Sequence, residues 1–136
     1  MARNEMLKEE VIHQIAHGKL WEKAVGHGQA KWRIGSKIVH VRYRSKPVSG
    51  GGVIYSYNIN PNTLASDFEV WICGSADVYY FIPIKVLQEI YNHPDAYVDY
   101  THPEIRVADV NIDNDQCRYA RDGQTMDFSS YRCATL

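Results

Sequence analysis

The segment DFEVWICGSADVYYFIPIKVLQEIYN, residues 67–92, constrains the fold of this chain more than any other. Residues 68–73 and 78–82 are rich in aromatic and β-branched side chains, which suit a pleated, buried surface. Gly74, Ser75, Ala76 and Asp77 interrupt them with turn chemistry. Ile84, Leu87, Ile90 and Tyr91 then recur at helical spacing, with Pro83 where a first helical turn tolerates it. This densest apolar stretch predicts two neighbouring strands in the buried middle of a sheet and a helix laid over them.

The flanking segments supply the rest of such a sheet. Met6, Leu7, Val11, Ile12, Ile15 and Ala16 follow helical spacing, with Asn4 as the N-cap and Gly18 just past the end. Glu9 borders the apolar stripe, and Glu10, His13 and His17 lie on the opposite side. Residues 20–29 have no clear period, and Gly26, His27 and Gly28 favour a loop. Residues 30–34 and 37–44 read as strands joined by a Gly35-Ser36 hairpin. In the second of these, Val39, Val41 and Tyr43 share one face, while Ile38, His40, Arg42 and Arg44 share the other. Residues 49–52 form a glycine-rich turn, and 53–59 a strand in which Tyr55, Tyr57 and Ile59 alternate. Residues 105–112 read as a late strand and 114–125 as a polar, turn-rich stretch. In 126–131, Phe128 and Tyr131 are apolar enough to dock the tail. No repeat or linker divides the 136 residues. The expectation is one α+β domain over 1–136, a mixed central sheet flanked by helices.

Composition removes some function classes. No run approaches the ~20 apolar residues of a membrane span, and the N-terminus has no signal-peptide core. Cys73, Cys117 and Cys133 have no CxxC spacing, so free thiols in a cytoplasmic protein are expected. The net charge of −1 conceals a division: residues 1–60 carry ten Lys/Arg against four Asp/Glu, and 61–136 carry five against twelve. Between Lys19 and Lys46 stand eight basic residues and one acidic one, Glu22. A polyanion such as DNA or RNA would seek that basic segment. The alternative is a basic face that balances the chain's own acidic half.

Most constellations carry little chemistry. His13 and His17 have helical i, i+4 spacing but lack the glutamate of HExxH, and Asp109, Asp113 and Asp115 lack the glycine and final glutamate of a calcium loop. The glycine run is not followed by GK[ST], and no GxSxG elbow is present. The strand face His40-Val41-Arg42-Tyr43-Arg44 is more informative. With Lys31, Arg33, Lys37 and Lys46 it forms a line of phosphate-binding donors, and Tyr43, Tyr55 and Tyr57 offer stacking faces.

The order of helix, basic hairpin, YSYNIN strand, DFEVW strand and YYFIPI strand with its helix, over roughly residues 5–92, resembles the PD-(D/E)XK restriction-endonuclease-like fold. More narrowly it is similar to small group I intron-encoded endonucleases and related phage and bacterial proteins. The resemblance implies Glu9 (or Glu5) as the helix carboxylate that holds Mg²⁺, which activates water at the scissile phosphate. His40-Val41-Arg42 stands at the Glu/Gln-x-Lys position, so His40 and Arg42 complete the implied catalytic set. Lys31, Trp32 and Arg33 stand where that family has an aspartate, so the motif is incomplete, and arginine cannot shuttle a proton as lysine does.

Three readings follow. One is a nucleic-acid-binding protein on a nuclease-like scaffold. A second is a metal-dependent endonuclease drawing on Glu5, Glu9, Asp67 or Glu69. A third is a small phage-type protein that binds a basic protein partner through its acidic half. Symmetric pairing of two copies suits any protein that contacts duplex DNA.

Overall fold

The structure, a computed structural model, describes residues 3–24, 30–48 and 52–136. Its elements are α1 (Arg3–Ala16), β1 (Trp21–Lys23), β2 (Lys31–Ile34), β3 (Lys37–Arg44), β4 (Ile54–Ile59), β5 (Phe68–Cys73), β6 (Tyr79–Pro83), α2 (Ile84–Tyr91), β7 (Arg106–Asn111), β8 (Gln116–Arg118) and β9 (Thr125–Asp127). Short 3₁₀ turns lie at Pro61–Ala65 and Ser129–Tyr131. Among the described residues no helix is long and apolar enough to cross a membrane.

The α+β expectation holds, but the strands do not form one central sheet. They divide into a five-stranded sheet ordered β1-β2-β3-β5-β6 and a four-stranded sheet ordered β4-β7-β8-β9. In the first, β3 and β5 run parallel and the other pairs are antiparallel. The second is antiparallel throughout. The division is invisible in β4 itself. Tyr55, Tyr57 and Ile59 are its buried face, as alternation predicts, yet alternation does not say which neighbour a strand pairs with.

The five-stranded sheet is covered on both faces. On one, α1 contributes Val11, Ile12, Ile15 and Ala16 to a core with Trp32, Val39, Val41, Val70, Ile72 and Phe81. On the other, Trp71, Cys73, Tyr80 and Ile82 pack against Tyr57, Ile59, Val110 and Phe128 of the second sheet and its tail, and against Leu87 and Ile90 of α2. Strand β5 lies between the two cores, which is why, Glu69 apart, its sequence is apolar on both faces instead of alternating. The Trp71 ring stacks on Tyr57 at 4.7 Å and 6°, and the Tyr57 hydroxyl donates to the Ile72 carbonyl at 2.6 Å, joining the sheets. Full burial of each such ring is worth roughly 1.5–3 kcal/mol.

Several boundaries differ from the sequence reading. Asn4 lies inside α1, not at its cap, because the helix already includes Arg3. Gly18 with φ +90° follows the helix end, as expected. Part of the unassigned stretch 20–29 is β1, a three-residue edge strand too short for any period. Residues 25–29, with Gly26, His27 and Gly28, and 49–51 of the glycine-rich turn lie outside the described residues. The polar stretch 114–125 contains β8, whose one buried side chain is Cys117.

The C-terminal tail closes the free edge of β6, a position that otherwise invites strand addition. Arg132 bridges to Tyr80 across that edge. Its Nη1 donates to Asp115 Oδ1 at 2.8 Å and to the Ile112 carbonyl at 2.8 Å. The Tyr80 hydroxyl donates to the same Asp115 oxygen at 2.6 Å.

Candidate functional site

Strand register gathers the site. His40 lies opposite Glu69, Arg42 opposite Trp71 and Arg44 opposite Cys73 along the parallel pair, so all six point to the face away from α1. The second sheet covers that face over β5 and β6. At the edge of β3 beyond its pairing with β2 a cleft of about 380 Å³ opens to both faces, lined by His40, Arg42 and Arg44 from one face, by Val41, Tyr43 and Lys8 from the α1 side, by Ala30, and by Tyr57 and Asn58 of β4. Arg44 Nε donates to the Ser56 carbonyl at 3.0 Å, which fixes the arginine against β4. Where β3 ends, Gly74 turns with φ +86°, and a Cβ there would stand 3.0 Å from the Tyr55 hydroxyl, so glycine suits this crossing.

Glu69 sits behind the cleft with no solvent exposure. Its Oε1 accepts from Trp71 Nε1 at 3.1 Å. The same oxygen lies 3.3 Å from Arg42 Nε and 3.6 Å from His40 Nδ1. Neither nitrogen is aligned as a hydrogen-bond donor, and Oε2 has no partner among the described residues. A buried carboxylate survives only beside compensating charge. Arg42 supplies it, and in return the carboxylate draws the Arg42 side chain toward it by charge, with the Nδ1 edge of His40 alongside. Lys8 approaches from α1. Burial lowers its ammonium below the ordinary lysine range, Glu5 opposes this, and Lys23 and Arg42 reinforce it.

The predicted site residues are thus only partly gathered. His40, Arg42 and Arg44 line the cleft. Lys31 lies opposite His40 on β2, and Arg33 is drawn to Glu22 at 3.4 Å. Lys37 and Lys46 are exposed near opposite ends of β3, whose eight residues span about 23 Å. Glu9, the predicted metal carboxylate, is half-buried on α1, does not line the cleft, and has no hydrogen bond or ion pair among the described residues. Of the stacking tyrosines, Tyr55 and Tyr57 are buried in the core between the sheets, and Tyr43 remains partly accessible. Lys8 is the member that sequence reasoning missed, and Glu69 was named only as a metal carboxylate of the endonuclease reading, not as a partner of His40 and Arg42. Glu69 shares the period-two face of Trp71, but its position beside His40 follows only from the parallel pairing of β3 and β5.

Magnesium takes several hard oxygen ligands, and the described residues of this cleft do not offer them. Glu69 is buried with its Oε1 surrounded by donors, Glu5 is 3.5 Å from Lys23, and Asp67 Oδ2 accepts from the Ile38 amide at 2.8 Å. Elsewhere His93, Asp95 and Asp122 place one ligand atom each within 4.8 Å of one another. They lie on surface loops outside the cleft, and Asp95 is already 3.8 Å from Arg121.

No protein-family model, curated protein or solved structure matches the chain.

Proposed function

We propose that this chain is a nucleic-acid-binding protein on a nuclease-like α+β scaffold, and that it holds the phosphate backbone in the cleft along β3. The carrying observation is that Lys8, His40, Arg42 and Arg44, from two separate elements, meet in one cleft that no carboxylate lines among the described residues, with Glu69 buried behind it. Guanidinium groups offer forked donors that match phosphate oxygens, and both arginines here are held in place before a ligand arrives. Arg42 is partly neutralised by Glu69, so Arg44 and Lys8 carry most of the free positive charge. The acidic second half of the chain orients a polyanion toward the basic half.

Fluorescence anisotropy with labelled single-stranded RNA, single-stranded DNA and duplex DNA, from about 20 mM salt upward, tests the proposal. Affinity should fall steeply with salt, and Arg44→Ala and Lys8→Ala should each reduce the salt slope by about one. Absence of binding to all three probes at the lowest salt overturns it.

A further inference from the structure

We infer that the cleft does more than hold a backbone: it cleaves RNA by in-line attack of a ribose 2′-hydroxyl on the adjacent phosphate, with His40 as the base. This inference rests on the binding reading above. It starts from an arrangement that binding alone leaves unexplained. Phosphate binding needs cations, not an imidazole with a buried carboxylate at its back. His40 is 8% exposed, lines the cleft, and presents Nδ1 to Glu69 Oε1 at 3.6 Å. Glu69 occupies the Nδ1 side of the ring without a hydrogen bond to it, so the base in this reading is Nε2, on the other side of the ring.

The remaining groups match what such a reaction requires. Arg42 and Arg44 face the non-bridging oxygens, where negative charge builds as the phosphorus becomes five-coordinate. The Lys8 ammonium lines the same cleft, and its partial burial makes it a readier proton donor than an exposed lysine. In the step, the 2′-oxygen forms a bond to phosphorus while its proton passes to His40 Nε2. The bond from phosphorus to the 5′-oxygen breaks, and that oxygen takes a proton from Lys8. The products are a 2′,3′-cyclic phosphate and a 5′-hydroxyl. Proton exchange with water returns His40 and Lys8 to their starting states. No co-reactant is consumed, and the nucleophile belongs to RNA alone, so DNA is bound but left intact. Glu69, which touches no substrate, is a positioning residue.

The test is a labelled DNA strand carrying a single ribonucleotide, incubated with the full chain in excess chelator. Expected are a cyclic-phosphate product and no cleavage of the all-deoxy or 2′-O-methyl strand. His40→Ala, purified in parallel, should lose about two orders of magnitude or more in rate, far more than any loss in its affinity for the strand. Added imidazole should restore part of that rate, which a purely structural role would not allow. Glu69→Gln should lower kcat with KM little changed. Binding without cleavage, cleavage of the 2′-O-methyl strand, or full activity in His40→Ala overturns the inference and leaves the binding proposal standing. Failure to bind overturns both.

Discussion

Arg42 Nε lies 3.3 Å from an oxygen of Glu69, whose carboxylate is wholly enclosed while the arginine remains about one quarter exposed at 27%. The pair is therefore asymmetric: water can reach the cation but not the anion. Removing Arg42 strands a buried charge, whereas removing Glu69 releases a cation that can turn to solvent. Arg42→Ala should cost about 3–5 kcal/mol and Glu69→Gln only about 1–2 kcal/mol. The double variant Arg42→Leu with Glu69→Leu should be more stable than Arg42→Ala alone. Urea denaturation of the set measures the ordering, and equal costs for the two single variants would contradict it.

Asp115 ties the tail to the sheet edge through one oxygen that accepts from both Tyr80 and Arg132. Asp115→Ala removes both bonds and leaves Arg132 without its carboxylate, at an expected cost of about 2–3 kcal/mol. The backbone at this residue has φ +61°, which asparagine tolerates better than alanine. Asp115→Asn should therefore be milder. Hydrogen exchange should show residues 129–136 losing protection before the strands of the main sheet.

Thiol reactivity should separate the three cysteines. Cys73 and Cys117 are buried and Cys133 is exposed, so a thiol reagent at neutral pH should label one site in the folded chain and three in denaturant.

Burial pushes the Cys73 thiol up to about 12 and the Tyr79 phenol up to about 12. Both acids are neutral in the folded chain at pH values where the unfolded chain has begun to ionise, from about 9 for a thiol and 10 for a phenol. Their contribution is complete below those unfolded values and is lost as pH rises toward 12. Urea midpoints should fall between pH 9 and pH 11, and less so in Cys73→Ala relative to its own value at neutral pH. A flat profile across that window would contradict the assignment.

Phe128 shows no exposure and touches Trp71, Tyr80 and Tyr131 by ring contacts of 5.3–6.1 Å. Phe128→Ala should cost about 3–5 kcal/mol, readable as a lowered melting temperature with Trp71 emission shifted to the red.

That residue also marks how far the sequence could be read. Phe128 stood out as an apolar anchor in a polar tail, and it docks where such an anchor must. Strands β2 to β6 and helix α2 were legible for the same reason, since burial imposes a period that the residues display. Strands β1 and β8 were not, because three residues with one or no buried side chain carry no period. The site was legible by half. His40, Arg42 and Arg44 share a face by alternation alone, but Glu69 and Lys8 reach them through a parallel strand pairing and a helix crossing that leave no mark in the order of residues. The assignment of β4 to a second sheet was hidden likewise, because its alternation serves either sheet equally well.

The path between β3 and β5 has a mechanical meaning. These neighbours lie side by side, yet the chain joining them leaves to build the first strand of the opposite layer before returning. Neither layer is a continuous piece of polypeptide, so neither can detach and persist while the other melts. The molecule should therefore unfold in one step, with tryptophan emission and far-ultraviolet circular dichroism tracing a single superimposable curve. A nick between β4 and β5 would leave two fragments that regain structure only together.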